Sequence, residues 1–149
     1  MTGPSPSLSR TMGNDHARLD EAWERIRGTE RAELRREWFE AYRADLVYHV
    51  EIEEREMFPR LAAAGPADAL LVGRLREEHR EILEVLDRIG AAIDGPIDRL
   101  GVLDVELVTL LWAHNAREET TAYPRWDELA GPDEAARIRS ALDRSSSPE

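Results

Sequence analysis

The chain has four histidines, and each stands on the apolar stripe of a different helical segment. The stripes read Met12, His16, Leu19, Trp23, Ile26; then Phe39, Tyr42, Leu46, His49, Glu53, Met57; then Val72, Leu75, His79, Ile82, Leu86, Ile89, Ile93; then Leu103, Leu107, Leu110, His114, Glu118. Every step is three or four residues, the spacing of one face of an α-helix, and strand-like alternation is absent. Gly28-Thr29, Gly65-Pro66, Gly95-Pro96 and Gly131-Pro132 separate the segments, with Asn14 or Asp15 placed to cap the first and Thr29 the second. Four amphipathic helices joined by short loops bury their stripes by forming an antiparallel four-helix bundle, so the fold class is all-α. "PDEAARIRSALDR" predicts a short C-terminal fifth helix packed outside it. The bundle domain is expected over 14–143. Residues 1–13, rich in Ser, Pro and Gly, and residues 144–149 read as disordered tails.

The polar residues on the stripes form a doubled pattern. "HVEIEEREMFPR" (49–60) aligns with "HNAREETTAYPR" (114–125), and "HARLDEAWERI" (16–26) aligns with "HREILEVLDRI" (79–89). The bundle is thus two similar helical hairpins, each supplying a lone histidine and then His-x-x-x-Glu. At i and i+4, His49 and Glu53 share a face, as do His114 and Glu118. A buried carboxylate without a partner costs several kcal/mol or is forced neutral. A pseudo-twofold that brings two His-His-Glu sets together supplies what a two-metal site needs: two imidazoles per ion and two bridging carboxylates. The candidate ligands are His16, His49, Glu53, His79, His114 and Glu118. Glu54 and Glu119 sit one position off the stripe and serve as additional ligands or as partners of a histidine; Glu78 beside His79 is an outer or surface acid. The Trp residues are expected in the core or at its edge. "FPR" and "YPR" are expected to kink or end their helices just past the ligands.

The remaining composition narrows the function classes. The chain lacks cysteine, which excludes disulfides, thiolate catalysis and iron–sulfur clusters. Its net charge of −11, with no basic patch, argues against nucleic-acid or anionic-membrane partners. No stretch approaches the roughly 20 apolar residues of a membrane span. The N-terminus has no apolar run of a secretory signal, so a cytoplasmic location is the expectation.

The ligand pattern resembles the hemerythrin-like domains, the HHE cation-binding group, over residues 14–130; the "EEREMFPRL" context and the "EEH" that ends on His79 are similar too. The resemblance implies an up-down-up-down bundle around a non-haem di-iron centre, oxo- or hydroxo-bridged. His16 and His49 would serve one iron, His79 and His114 the other, and Glu53 and Glu118 would bridge. Mn or Zn would accept the same donors. Oxygen-carrying members use five histidines and an aspartate in His-x-x-x-x-Asp. Here Leu75 and Leu83 stand four residues either side of His79, and the second acid is a glutamate at i+4. Two under-coordinated irons suit reaction with peroxide, dioxygen or nitric oxide. The leading expectation is catalase-like peroxide disproportionation. The alternatives are an iron-, oxygen- or redox-sensing module without turnover, and a di-iron oxygenase acting on a small organic substrate.

Overall fold

The computed structural model describes residues 7–145, and among them all regular structure is helical. Helix α1 (Leu8–Gly28) is followed by α2 (Ala32–Ile52), which runs through a π-helical turn (Glu53–Met57) into α3 (Phe58–Ala62). The second half repeats the plan: α4 (Pro66–Ala92), then α5 (Ile97–Arg117), a second π-helical turn (Glu118–Ala122) and α6 (Tyr123–Leu129). Helix α7 (Pro132–Ser145) closes the described chain. α1 packs on α2, α2 on α4, α4 on α5, and α6 returns to α1, so the four rods form a closed ring. The last helix lies against α1 and α2, where Ile138 and Leu142 are buried and the Tyr48 hydroxyl donates to the Ala141 carbonyl at 2.8 Å.

The structure departs from the sequence expectations in three respects: the helix ends, the prolines and the exposure of α5. Residues 8–13 are helix, not tail. The α1 stripe starts about one turn before Met12, because Leu8 extends it by one more step of four and both residues are fully buried. Ser7, rather than Asn14 or Asp15, is the N-cap: its hydroxyl accepts from the Arg10 N–H at 3.1 Å, supplying one of the partners that first-turn donors lack. The Asp127 carboxylate takes the Leu8 and Ser9 N–H groups and the Ser9 hydroxyl at 3.0, 3.2 and 2.6 Å. The proposed tail over 1–6 lies outside the described residues. At the other end α7 runs to Ser145, two residues into the proposed C-terminal tail, and 146–149 lie outside the described residues.

The second correction concerns the prolines. Pro59 and Pro124 do not end their helices, since α3 and α6 run on past them to Ala62 and Leu129. Each follows a π-helical turn in which the Phe58 or Tyr123 N–H reaches back five residues to the Glu53 or Glu118 carbonyl. A proline has no N–H to give and its ring presses on the carbonyl four residues back. The wide turn absorbs that misfit, and the helix continues. The third correction concerns exposure. Trp23 and Trp126 are buried, but Trp112 is 77% exposed. On the same helix Leu111 is buried where Leu110 was placed on the stripe; Leu110 packs at the core's edge.

The core is two clusters rather than one. Leu19, Trp23, Phe39, Tyr42, Leu86 and Leu107 belong to the first, and Met12, Phe58, Leu75, Tyr123, Trp126 and Ile138 to the second. Burial of such side chains contributes about 1.5–3 kcal/mol each. Between the clusters lies a belt of buried polar groups: His16, His49, Glu53, His79, His114 and Glu118.

Candidate metal centre

All six predicted ligands meet in this belt, and they meet as two overlapping quartets. In one, His16, His49, Glu53 and Glu118 offer donor atoms lying within 4.8 Å of one another; in the other, Glu53, His79, His114 and Glu118 do the same. Both glutamates belong to both groups. Glu53 Oε1 is 3.5 Å from His49 Nε2 and 3.1 Å from His79 Nε2. Glu118 Oε1 is 3.2 Å from His16 Nε2 and 3.2 Å from His114 Nε2. Each carboxylate therefore spans one histidine of either hairpin, the placement a bridging ligand requires.

The outer nitrogen of each ring faces an acid. His49 Nδ1 meets Asp15 at 2.7 Å, His16 Nδ1 meets Glu119 at 3.0 Å, and His114 Nδ1 meets Glu78 at 2.9 Å. His79 Nδ1 lies 3.5 Å from Glu54, beyond a good hydrogen bond. Such carboxylates hold the proton on Nδ1 and leave the Nε2 lone pair facing inward, the arrangement metal-ligating histidines adopt. Glu54 and Glu119 thus face the outer side of a histidine, and neither belongs to a donor quartet. The doubled Glu-Glu has a division of labour: its first member points in and its second faces a ring on a neighbouring helix, Glu119 bonding His16 and Glu54 standing 3.5 Å from His79. Arg18 anchors Asp15, and Arg117 anchors Glu78.

Two residues escaped the sequence reading. Asp15 reads as a cap by its position, yet the alignment of Asp15-His16 with Glu78-His79 carries the signal. Tyr123 is the other. Its hydroxyl donates to Glu53 Oε2 at 2.6 Å, lies 3.0 Å from Glu118 Oε1 and from His16 Nε2, and is 3.4 Å from His49 Nε2. It therefore sits at the centre of the first quartet. Residues five apart stand about 140° apart on an α-helix at 3.6 residues per turn, so periodicity points Tyr123 away from Glu118. The π-helical turn swings it back. Its counterpart in the other hairpin is Phe58, which stacks on His79 with ring centroids 5.3 Å apart.

The donor set fits cations. Glu53 and Glu118 are fully buried, and Glu118 Oε2 has no hydrogen-bond partner. Burial opposes ionisation of Glu53, but His49 and the neighbouring donors outweigh it and hold the carboxyl well below its usual range. Burial likewise opposes charge on His49 and His114; the adjacent Glu53 and Glu118 carboxylates win and push both imidazoles up to about 10. Burial, then Glu118 and Glu53, raises the Tyr123 phenol well above its ordinary value. Without metal, protons on His49 and His114 therefore offset the buried acids beside them.

The sign of the pH dependence follows. A histidine raised from 6.5 to about 10 stabilises the fold fully below pH 6.5, and that contribution is lost as pH rises through about 10. The depressed Glu53 contributes above its ordinary 4.5 and is lost in acid. Metal-free protein should therefore melt at progressively lower temperature from pH 6.5 to 10. Metal displaces those protons, so the gap between loaded and chelated protein should widen over the same range. Calorimetry of both forms across this range checks it; a constant gap would show that the histidines are not protonated in the metal-free fold.

The centre encloses a cavity of about 10 Å³ walled by Leu19, Leu46, Ile82 and Leu111 beside the ligands, room for about one water-sized molecule. Among the described residues no helix is long and apolar enough to cross a membrane. No curated protein and no solved structure matches the chain significantly. The family model for the hemerythrin HHE cation-binding domain matches residues 7–126, a span that contains every helix contributing to the two quartets, and the chain therefore belongs to the hemerythrin HHE cation-binding domain family.

Proposed function

We propose that the chain is a di-iron protein that disproportionates hydrogen peroxide. The observation that carries this reading is the pair of quartets sharing both carboxylates around a cavity of about 10 Å³. His16, His49, Glu53 and Glu118 would hold one iron; His79, His114, Glu53 and Glu118 would hold the other. Bound iron supplies reversible storage of two electrons across the pair. One peroxide then takes up two electrons and two protons to give two waters, and a second gives up two electrons and two protons to leave as O2.

The protein's own groups set the conditions for this exchange. The cavity has room for about one water-sized molecule and none for an organic substrate, which favours small-oxidant turnover over oxygenase chemistry. Leu75 is buried in the second cluster, and Leu83 packs at the edge of the first. No imidazole approaches His79 from either position, so the second quartet keeps open coordination that reversible oxygen carriage would need filled. The Tyr123 O–H, held on Glu53, is a proton donor placed inside the site.

Iron-loaded protein should evolve O2 from added peroxide over many turnovers, one O2 for every two peroxides consumed. Tyr123→Phe should retain two irons and lose rate about 100-fold, within the range a positioned proton donor contributes. An oxygen electrode and elemental analysis test both points. Consumption that stops after one equivalent of peroxide would replace turnover with sensing or scavenging.

A further inference from the structure

The solvent face of α5 is unlike the rest of this acidic, heavily charged chain. From Gly101 to Ala116 the exposed positions are Gly, Ala, Val, Thr or Trp, and the partly exposed Glu106 is held by Arg88. Ile97, Val102, Val105, Val108 and Trp112 are 39–77% exposed. Together they present several hundred Å² of apolar surface, the upper end of what monomers leave uncovered. With a polar rim the face approaches the ~800 Å² per partner of a stable complex.

The size pattern along the face is self-complementary. Its largest residue, Trp112, and its smallest, Gly101, stand at equal distances in sequence from the midpoint between Val105 and Val108. A twofold axis through that midpoint, perpendicular to the helix, sets Val105 against Val108 of a second copy and Gly101 against Trp112 of that copy. Beside Gly101 lies a cavity of about 110 Å³ lined by Trp23, Ile26, Ile97, Leu100 and Asp104. A Cβ built on Gly101 meets nothing within 4 Å, so the approach to that cavity is open. Charge follows the same symmetry. Asp20, Glu24 and Glu119 surround the foot of Trp112, whereas Arg27 and Arg35 line the Gly101 cavity. Arg27 also holds Glu24 and Asp104 of its own chain. The rotation that seats the indole brings the acidic rim of one copy to the basic rim of the other.

We propose that the chain forms a twofold homodimer through α5, with Trp112 of each copy seated in the cavity beside Gly101 of the other. A second copy fits better than an unrelated partner, because size and charge become complementary about one and the same axis. With −11 charges per chain, two copies repel over most of their surfaces; at this face Arg27 and Arg35 outnumber Asp104 around the cavity, so the acidic surround of Trp112 meets a basic rim.

Sedimentation analysis of the full-length, iron-loaded chain at micromolar concentration tests the proposal. The wild type should sediment as a dimer. Trp112→Ala should weaken dimerisation at least about 30-fold, as loss of a central aromatic anchor does, and Gly101→Trp, which fills the notch, should give monomer. Both should keep wild-type helicity by circular dichroism and wild-type iron content. Leu70→Ala, at an exposed residue on α4, should remain dimeric. A monomeric wild type overturns the proposal, whether the face is then bare or covered by another protein. Persistence of the dimer in either α5 variant overturns it too.

Discussion

Glu53→Ala and Glu118→Ala should each empty both halves of the candidate metal centre, leaving well under one metal per chain where the wild type should take up two. Glu53 Oε1 faces one histidine of each hairpin, and so does Glu118 Oε1. Either truncation removes a donor from both quartets at once. It also leaves the surviving carboxylate to face two imidazoles in a belt where neither glutamate has any solvent exposure. Glu119→Ala and Glu54→Ala act from the outer side of His16 and His79, where lost support costs about 10–100-fold in affinity. Glu119→Ala should have the larger effect of the two, since its contact is 3.0 Å against 3.5 Å for Glu54. Elemental analysis after anaerobic iron loading, with an affinity titration for the outer pair, decides this. Two metals retained in Glu118→Ala would show that the fourth rod does not supply a bridge.

Removing the metal should lower the melting temperature by about 10 °C or more. Metal held at about 1,000 times its dissociation constant stabilises the native state by about 4 kcal/mol. Each kcal/mol moves the midpoint of a domain this size by about 2–4 °C. The metal-free fold keeps compensating protons on His49 and His114, so it should remain a folded helical bundle rather than a random coil. The polar belt separates two dry clusters, each able to hold its end of the bundle. Scanning calorimetry with and without chelator, on samples checked for metal content, measures the shift. An unchanged midpoint in verified metal-free protein would mean that the belt is satisfied by its own protons and that cations add nothing to the fold.

Much of this centre is legible in the amino-acid sequence. Steps of three and four place His16, His49, His79 and His114 on four helix faces, and i, i+4 spacing puts Glu53 and Glu118 beside two of them. These are local facts of helix geometry, and burying such groups in a bundle leaves them few arrangements other than meeting. The family match over residues 7–126 agrees with that reading. The start of α1 was also within reach, because Leu8 continues the stripe, but the composition of residues 1–13 obscured it.

What the tertiary structure alone decided lies one step beyond periodicity. A regular helix points Tyr123 away from Glu118; the π-helical turn before Pro124 returns its hydroxyl to the centre of the first quartet, and no count at 3.6 residues per turn contains that turn. Asp15, Glu54, Glu78 and Glu119 look like ordinary surface acids in the sequence. Each faces a histidine on a different helix, so its role depends on which helices become neighbours. The exposure of Trp112 has the same origin, since the ring of four rods is complete without the outer face of α5. The sequence by itself determined which side chains turn inward on each helix, because that follows from local spacing. Which helices stand side by side, and therefore which acid holds which imidazole and which aromatic enters the site, follows only from packing.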